Sequence, residues 1–283
     1  MGSKSYMPVW VPSFSIKSPS SPGFKQLLAI LRSCIPILLF LAVYGINKWV
    51  HIQPLLEDLG YVHVHTINNL EGFLLGCHPH KLVSSLHYPV LDALSAIPYL
   101  IHYVIPVLCP LYFYLAGRTD EIPRFYWLMG WVNWLIYFIW LVFPHAPPWV
   151  IDHMNASGNG TEFSHAMLHG EGCAFHRLDQ SSGHAFFYNM LSGSPIPYGS
   201  FPSGHVAWPF VFFLQGGPGG NWFILYVFYM SWATLYTCHH YLTDSIGALI
   251  LVLVTRKLVN YLQEKQVCGV DYRCRPTSCP LPV

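Results

Sequence analysis

Residues 125–144 read FYWLMGWVNWLIYFIWLVFP, twenty consecutive positions without one ionised side chain. A helix needs about 20 apolar residues to cross the hydrocarbon layer of a bilayer, so this stretch predicts a membrane span. Five further apolar segments lie around it, at 33–50, 91–116, 204–216, 221–238 and 244–262. The segment at 204–216 is short and interrupted by Pro209, so it is expected inside the bundle. The turn Gly216-Gly217-Pro218-Gly219-Gly220 closes it. The reading is an all-α, polytopic membrane bundle of six helices with a large luminal loop between the third and fourth spans.

The composition agrees. Of 283 residues, 14 are Lys or Arg and 13 are Asp or Glu, so 10% are charged, where soluble domains carry about 25%. Apolar residues make up 53%, aromatic residues 16%, and the mean hydropathy is +0.38. There is no basic excess to neutralise nucleic-acid phosphates, too much aromatic surface for a disordered chain, and too little charge for a water-facing coat. Residues 1–32 read as a flexible cytoplasmic tail without a signal peptide, residues 33–262 as the six-span catalytic domain, and residues 263–283 as a cytoplasmic carboxy-terminal tail. Ser is not at position 6 of the opening Met1-Gly2-Ser3-Lys4-Ser5-Tyr6, so myristoylation is not expected.

Six spans place both termini on one side, and cytoplasmic loops carry the excess of Lys and Arg. Lys4, Lys17, Lys25, Arg32, Arg118, Arg124, Arg256, Lys257, Lys265, Arg273 and Arg275 fall on the side of the termini, against Lys48, Lys81 and Arg177 on the other. Both termini are therefore expected in the cytoplasm, and the loops 51–90 and 145–203 in the lumen or outside. Two glycosylation sequons, at Asn155 and Asn159, fall in the second of these loops. They point to a eukaryotic secretory membrane, the Golgi among the candidates. Cys77, Cys173 and Cys238 share that side, where either a disulfide or buried free thiols would fit. Cys268, Cys274 and Cys279 lie in the cytoplasmic tail without a zinc-type spacing.

Sixteen histidines are many for this length. The pairs His63/His65 and His78/His80 lack the neighbouring ligands that would complete a metal site, so no metal is expected there. Two other stretches carry more. Tyr198-Gly199-Ser200-Phe201-Pro202-Ser203-Gly204-His205 opens the fourth span, and Cys238-His239-His240-Tyr241-Leu242-Thr243-Asp244 turns into the sixth. The charge-derived topology puts both at the same membrane face. Ser203 and Gly204 sit where a helix starts with unpaired N–H groups, a ready phosphate site, and Gly204 lets the backbone approach an anion. His240 and Asp244 are four apart, so their side chains can meet. The carboxylate would hold one imidazole nitrogen and leave the other as a nucleophile, while His205 could protonate a leaving oxygen. Each feature alone is commonly structural. Together on one membrane face they predict a site.

Pro202-Ser203-Gly204-His205 followed by His240-x3-Asp244 resembles the type 2 phosphatidic acid phosphatase superfamily. Asn69-Leu70-Glu71-Gly72, Phe143-Pro144-His145-Ala146-Pro147-Pro148-Trp149, His176-Arg177-Leu178-Asp179 through His205, and His239 through Asp244 are similar to its branch of fungal inositol phosphorylceramide synthases and related bacterial proteins. The resemblance spans about residues 65–260. It implies a six-helix bundle that works through a phosphohistidine on His240, oriented by Asp244, with His205 as acid and base and no metal or other cofactor. It also implies lipid substrates and admits an accessory membrane subunit. The phosphatase branch has a Lys seven residues before Arg-Pro and an Arg six residues before the nucleophile. Here no Lys has that spacing, and Thr234 takes the second place. Gly204 stands where the synthase branch often has Leu or Met.

The substrate also follows from charge. With Lys48, Lys81 and Arg177 as the only luminal cations besides His, the site suits a singly charged phosphodiester better than a monoester. Arg177 is the candidate clamp for the phosphate, and an Arg177–Asp179 loop contact is the structural alternative. The leading expectation is transfer of a phosphorylated head group, phosphoinositol by resemblance, from a glycerophospholipid to an acceptor alcohol such as ceramide. A lipid phosphate or isoprenyl diphosphate phosphatase using water is the second. A His-rich metal transporter is a third, and it would tolerate His240→Ala but not loss of His63 or His78. The chain shows no internal repeat of the kind such transporters have.

Overall fold

The computed structural model describes residues 23–50, 60–157, 173–192, 194, 196 and 198–264. Among these, all regular elements are helical: α1 (Phe24–Val50), α2 (Thr66–Leu75), α3 (Pro79–Ser84), α4 (Pro89–His102), α5 (Ile105–Leu115), α6 (Glu121–Val142), α7 (Pro148–Ser157), α8 (Ala174–Ser182), α9 (Phe186–Ser192), α10 (Gly204–Leu214), α11 (Ile224–Tyr236) and α12 (Leu242–Glu264). Two stretches are long and apolar enough to cross a membrane, Gln26–Asn47 of α1 and Glu121–Val142 of α6, and the α4–α5 pair makes a third if counted as one bent span. Leu27, Leu31, Leu38 and Phe73, with Val107, Phe138 and Ile250 further along, leave large apolar side chains exposed. So wide an apolar coat marks a membrane protein.

Helices stand at all six apolar segments, with α1 starting at Phe24, ahead of the expected boundary at 33. The second segment is not one straight helix. It breaks at Tyr103–Val104, and its halves meet at 67°. Pro106 is the reason. Its ring replaces the N–H that would bond the carbonyl of His102 and crowds that oxygen, so α4 ends at His102. The loops 51–90 and 145–203 also carry short helices, α2, α3, α7, α8 and α9, that periodicity did not predict.

α1 runs along α6, and α10 packs against α4, α5, α6, α11 and α12. The apolar core follows from this arrangement, with Phe113, Phe125, Met129, Val211, Met230 and Val252 fully enclosed. The expectation that the short fourth segment lies inside the bundle therefore holds. The α1–α6 crossing is tight because Gly130 has no side chain. A Cβ there would lie 2.5 Å from Pro36 Cβ. Polar groups bond between helices where water is absent. Trp134 Nε1 donates to Pro36 O at 2.9 Å, and Asn47 Nδ2 to Tyr137 Oη at 2.7 Å. Asn133, in the middle of α6, accepts from Trp208 Nε1 of α10 at 3.0 Å.

Prolines inside spans leave backbone carbonyls without their usual partner, and in lipid that deficit must be met by the protein. Tyrosine hydroxyls meet it. Pro98 lacks the N–H that would bond Leu94 O, and Tyr229 Oη donates to that oxygen at 2.5 Å. Pro110 leaves Pro106 O, and Tyr126 Oη donates to it at 3.2 Å. Tyr229→Phe should lower stability by about 1–2 kcal/mol. In a Pro98→Ala background, where the restored N–H bonds Leu94 O, the same change should cost less. Unfolding of the detergent-purified variants measures both, and equal losses in the two backgrounds would refute the pairing.

Candidate active site

Three chain segments meet at one end of the bundle: the loop 198–203 with the start of α10, the corner 237–241 after α11, and the start of α12. The loop is placed by its backbone. His145 N–H donates to Tyr198 O at 2.9 Å, and Ser200 N–H to His145 O at 3.3 Å. His145 in turn bridges to His63, so the segments around 63, 145 and 199 lie side by side. Trp140 Nε1 reaches from α6 to Pro202 O at 3.2 Å. On the other side, Phe201 packs where a side chain at position 247 would have to go, since a Cβ on Gly247 would lie 2.5 Å from its ring.

His240 and Asp244, four residues apart, meet as the spacing predicted. His240 Nδ1 lies 3.3 Å from Asp244 Oδ2 and 2.9 Å from the carbonyl of Ser200. A carbonyl oxygen can only accept, so Nδ1 carries the proton. In the neutral ring Nε2 is then left with its lone pair. That nitrogen faces His205, whose Nδ1 is 3.2 Å away. Asp244 is fully buried and His240 nearly so. The same Oδ2 accepts from Ser200 Oγ at 2.5 Å and from Tyr241 N–H at 2.8 Å. A buried carboxylate held by such donors keeps its position.

Ser203 is the N-cap of α10. Its Oγ accepts from Val206 N–H at 3.4 Å, and its own N–H donates to Asp244 O at 3.1 Å. Gly204 begins the helix. A Cβ there would touch the Trp140 ring at an ordinary 3.5 Å, so the protein interior does not itself demand glycine. Arg177, on α8, makes a two-pronged ion pair with Asp92 of α4, Nε to Oδ2 at 3.0 Å and Nη2 to Oδ1 at 2.5 Å. This bond is the first cause holding its guanidinium charged. Asp179 is not its partner, because that carboxylate accepts from Phe187 N–H and Tyr188 N–H. Asn159 lies outside the described residues, as do Cys268, Cys274 and Cys279, and the side chain of Asn155 is not among those described.

The structure adds groups that spacing along the chain did not reveal. Ser200 lies inside the quoted stretch, yet only the fold shows that it holds both His240 and Asp244. Tyr99 and His102 come from α4. Their rings lie 4.6 and 4.7 Å from the His205 ring, and His102 stacks on Trp208 at 4.2 Å. Tyr99 Oη is 3.1 Å from Thr237 Oγ1. Glu71, fully buried, accepts from Thr243 N–H at 3.2 Å, placing a carboxylate at the amino end of α12 where the helix dipole favours it. His80 lies between Glu71 and Asp152, at 3.6 and 3.9 Å. No group of three or more His, Cys, Asp or Glu among the described residues is arranged to hold a metal ion.

Residues 65–258 match the PAP2 superfamily. The inositol phosphorylceramide synthase catalytic subunit of Schizosaccharomyces pombe is 28% identical over 196 residues, 68% of this chain and 45% of that protein. The inositol phosphorylceramide synthase of Candida albicans is 26% identical over 275 residues, 89% of this chain and 54% of that protein. The phosphoinositol dihydroceramide synthase of Bacteroides thetaiotaomicron is 27% identical over 233 residues, 75% of this chain and 72% of that protein. The chain spans about half the length of the fungal relatives it matches. No solved structure matches it.

Burial, and then the His240 imidazole beside it, push the His239 ring down to about 3 from an ordinary 6.5. A histidine kept neutral in the fold protonates first in the unfolded chain. Its contribution to stability is therefore complete above pH about 6.5 and is lost as pH falls toward about 3. The melting temperature of the purified protein should drop across that window, and His239→Gln should flatten the drop. An unchanged slope would contradict the buried, neutral assignment.

Proposed function

The chain belongs to the PAP2 superfamily, and from that premise we propose that it is a membrane lipid phosphotransferase working by a phosphohistidine on His240. The bundle crosses the bilayer six times, with both termini in the cytoplasm and the histidines at the luminal or external face. The relatives described above are synthases of inositol-bearing phosphorylceramides by name, which supports phosphatidylinositol as donor and ceramide as acceptor. One observation carries the chemistry. His240 Nδ1 is bonded to two acceptors, so its Nε2 lone pair faces His205 across 3.2 Å.

The steps follow from those atoms. The phosphodiester displaces the His205–His240 hydrogen bond and places its phosphorus against His240 Nε2. His205 takes up a proton as the anionic diester arrives, because the diester's charge favours the imidazolium. Nε2 attacks phosphorus, the bond to the diacylglycerol oxygen breaks, and His205 gives that oxygen its proton. The imidazolium-like ring of phosphorylated His240 is steadied by Asp244 and Ser200 O. Diacylglycerol leaves. The acceptor hydroxyl then gives its proton to the now neutral His205 and attacks phosphorus, and His240 departs with its lone pair restored. Tyr99 and His102 pack against His205 and keep its ring in register with His240.

Purified protein given head-group-labelled phosphatidylinositol should form labelled product that requires ceramide. Release of free phosphate from phosphatidic acid, with no ceramide-dependent product, would replace this reading with hydrolysis. Asp244→Asn should lower turnover on the order of 100-fold or more by weakening the hold on the Nδ1–H tautomer, with KM less affected.

A further inference from the structure

Two thiols that the chemistry above does not use lie together beside it. Cys173 is the N-cap residue of α8. Cys238 follows α11 in the corner that presents His239 and His240. Both are buried, and both belong to one apolar cluster with Ala146, Trp149, Val150 and Tyr198. The two side chains lie close enough to perturb each other's ionisation. Cys109 and Cys34, in contrast, lie within helices of the bundle, and Cys77 is exposed.

The setting of Cys238 is unusual. Its φ is 56°, in the left-handed region, and it is the one residue other than glycine there among the described residues. A side chain in that conformation costs free energy and persists where the surroundings hold it. They do. Cys238 O accepts from Trp149 N–H at 3.1 Å, while His239 N–H and His240 N–H both donate to Thr234 O, at 3.0 and 3.2 Å. The corner that carries His240 is thus an over-determined turn, and the Cys238 side chain shares its apolar cluster with Cys173.

We propose that Cys173 and Cys238 close a disulfide in the mature protein, a covalent strap across the corner two residues before His240. The proposal rests on the non-cytosolic placement of the site given above, because disulfides persist on that side of a secretory membrane. Each thiol loses one proton and one electron as the sulfur–sulfur bond forms. The two electrons reduce a disulfide-bearing oxidant of the lumen, a small-molecule or protein disulfide, which leaves as two thiols. Burial of both sulfurs places this exchange during folding, before α7 and α8 cover the pair. The strap fixes the entry of α8, and with it the Arg177–Asp92 ion pair, to the catalytic corner.

The test is a peptide map of the full chain, purified without reductant, its free thiols alkylated before digestion. The peptides containing Cys173 and Cys238 should run as one species, two hydrogens lighter than their sum, that separates on reduction, and neither cysteine should carry the alkyl group. Reduction should lower the melting temperature of the wild type by on the order of 5 °C, and the double variant Cys173→Ser, Cys238→Ser should lose that response. Two alkylated cysteines overturn the strap. An impermeant maleimide applied to sealed membrane vesicles then separates the reasons. If Cys77 is shielded until detergent is added, the placement stands and the strap alone is wrong. If Cys77 reacts from the cytosolic side, the placement fails and takes the strap with it. Should the double variant not fold, the wild-type map decides by itself.

Discussion

One buried carboxylate oxygen holds the site together. Asp244 Oδ2 receives the Ser200 hydroxyl, the Tyr241 N–H and the His240 Nδ1–H. One donor comes from the loop before α10 and two from the corner after α11, while Asp244 itself sits in the first turn of α12, so a single side chain sets the relative position of all three segments. Burying a carboxylate is unfavourable unless protein donors reach it, and that requirement runs in both directions. The segments must converge for Asp244 Oδ2 to be met, and once they converge the tautomer of His240 is decided. The free lone pair on His240 Nε2 is a consequence of how the carboxylate is solvated by protein.

The second constraint is the bilayer. Without water, each carbonyl that a proline orphans needs a protein donor, and Tyr229 and Tyr126 supply it at Leu94 and Pro106. The broken α4–α5 element exists on these terms. Its first half brings Tyr99 and His102 against His205, and its second half angles away to bury its own Cys109 and Phe113 in the core. A straight helix could not satisfy both places. The break that looks like a flaw in a span is what lets one segment serve the site and the core together.

Much of this was legible in the amino-acid sequence, and the reasons differ from residue to residue. His240 and Asp244 were readable because a spacing of four fixes their neighbourhood on a helix. His205 was readable because charge counts alone placed its segment at the same face, and the structure brings it within 3.2 Å of His240. Ser203 was expected at a helix start and is the cap. Arg177 reads from the sequence as a phosphate clamp, with Asp179, two residues away, as its structural alternative, whereas its carboxylate partner is Asp92, far off in the chain. Local spacing cannot see such a contact. The same holds for Tyr99, His102 and Glu71, whose roles depend on tertiary placement. The break at Tyr103–Val104 was hidden because hydropathy runs through it unbroken, although Pro106 was there to be read.

The central claim is that His240 Nε2, and no other atom, takes the phosphoryl group. Brief reaction with labelled donor lipid in the absence of acceptor, acid-free quenching and mass mapping of the histidine peptides measures this directly. The account predicts a phosphoinositol adduct, bonded through nitrogen, on His240 that is lost in His240→Ala and accumulates when acceptor is withheld. An adduct on His205 or His239, or turnover in His240→Ala equal to wild type, would contradict it.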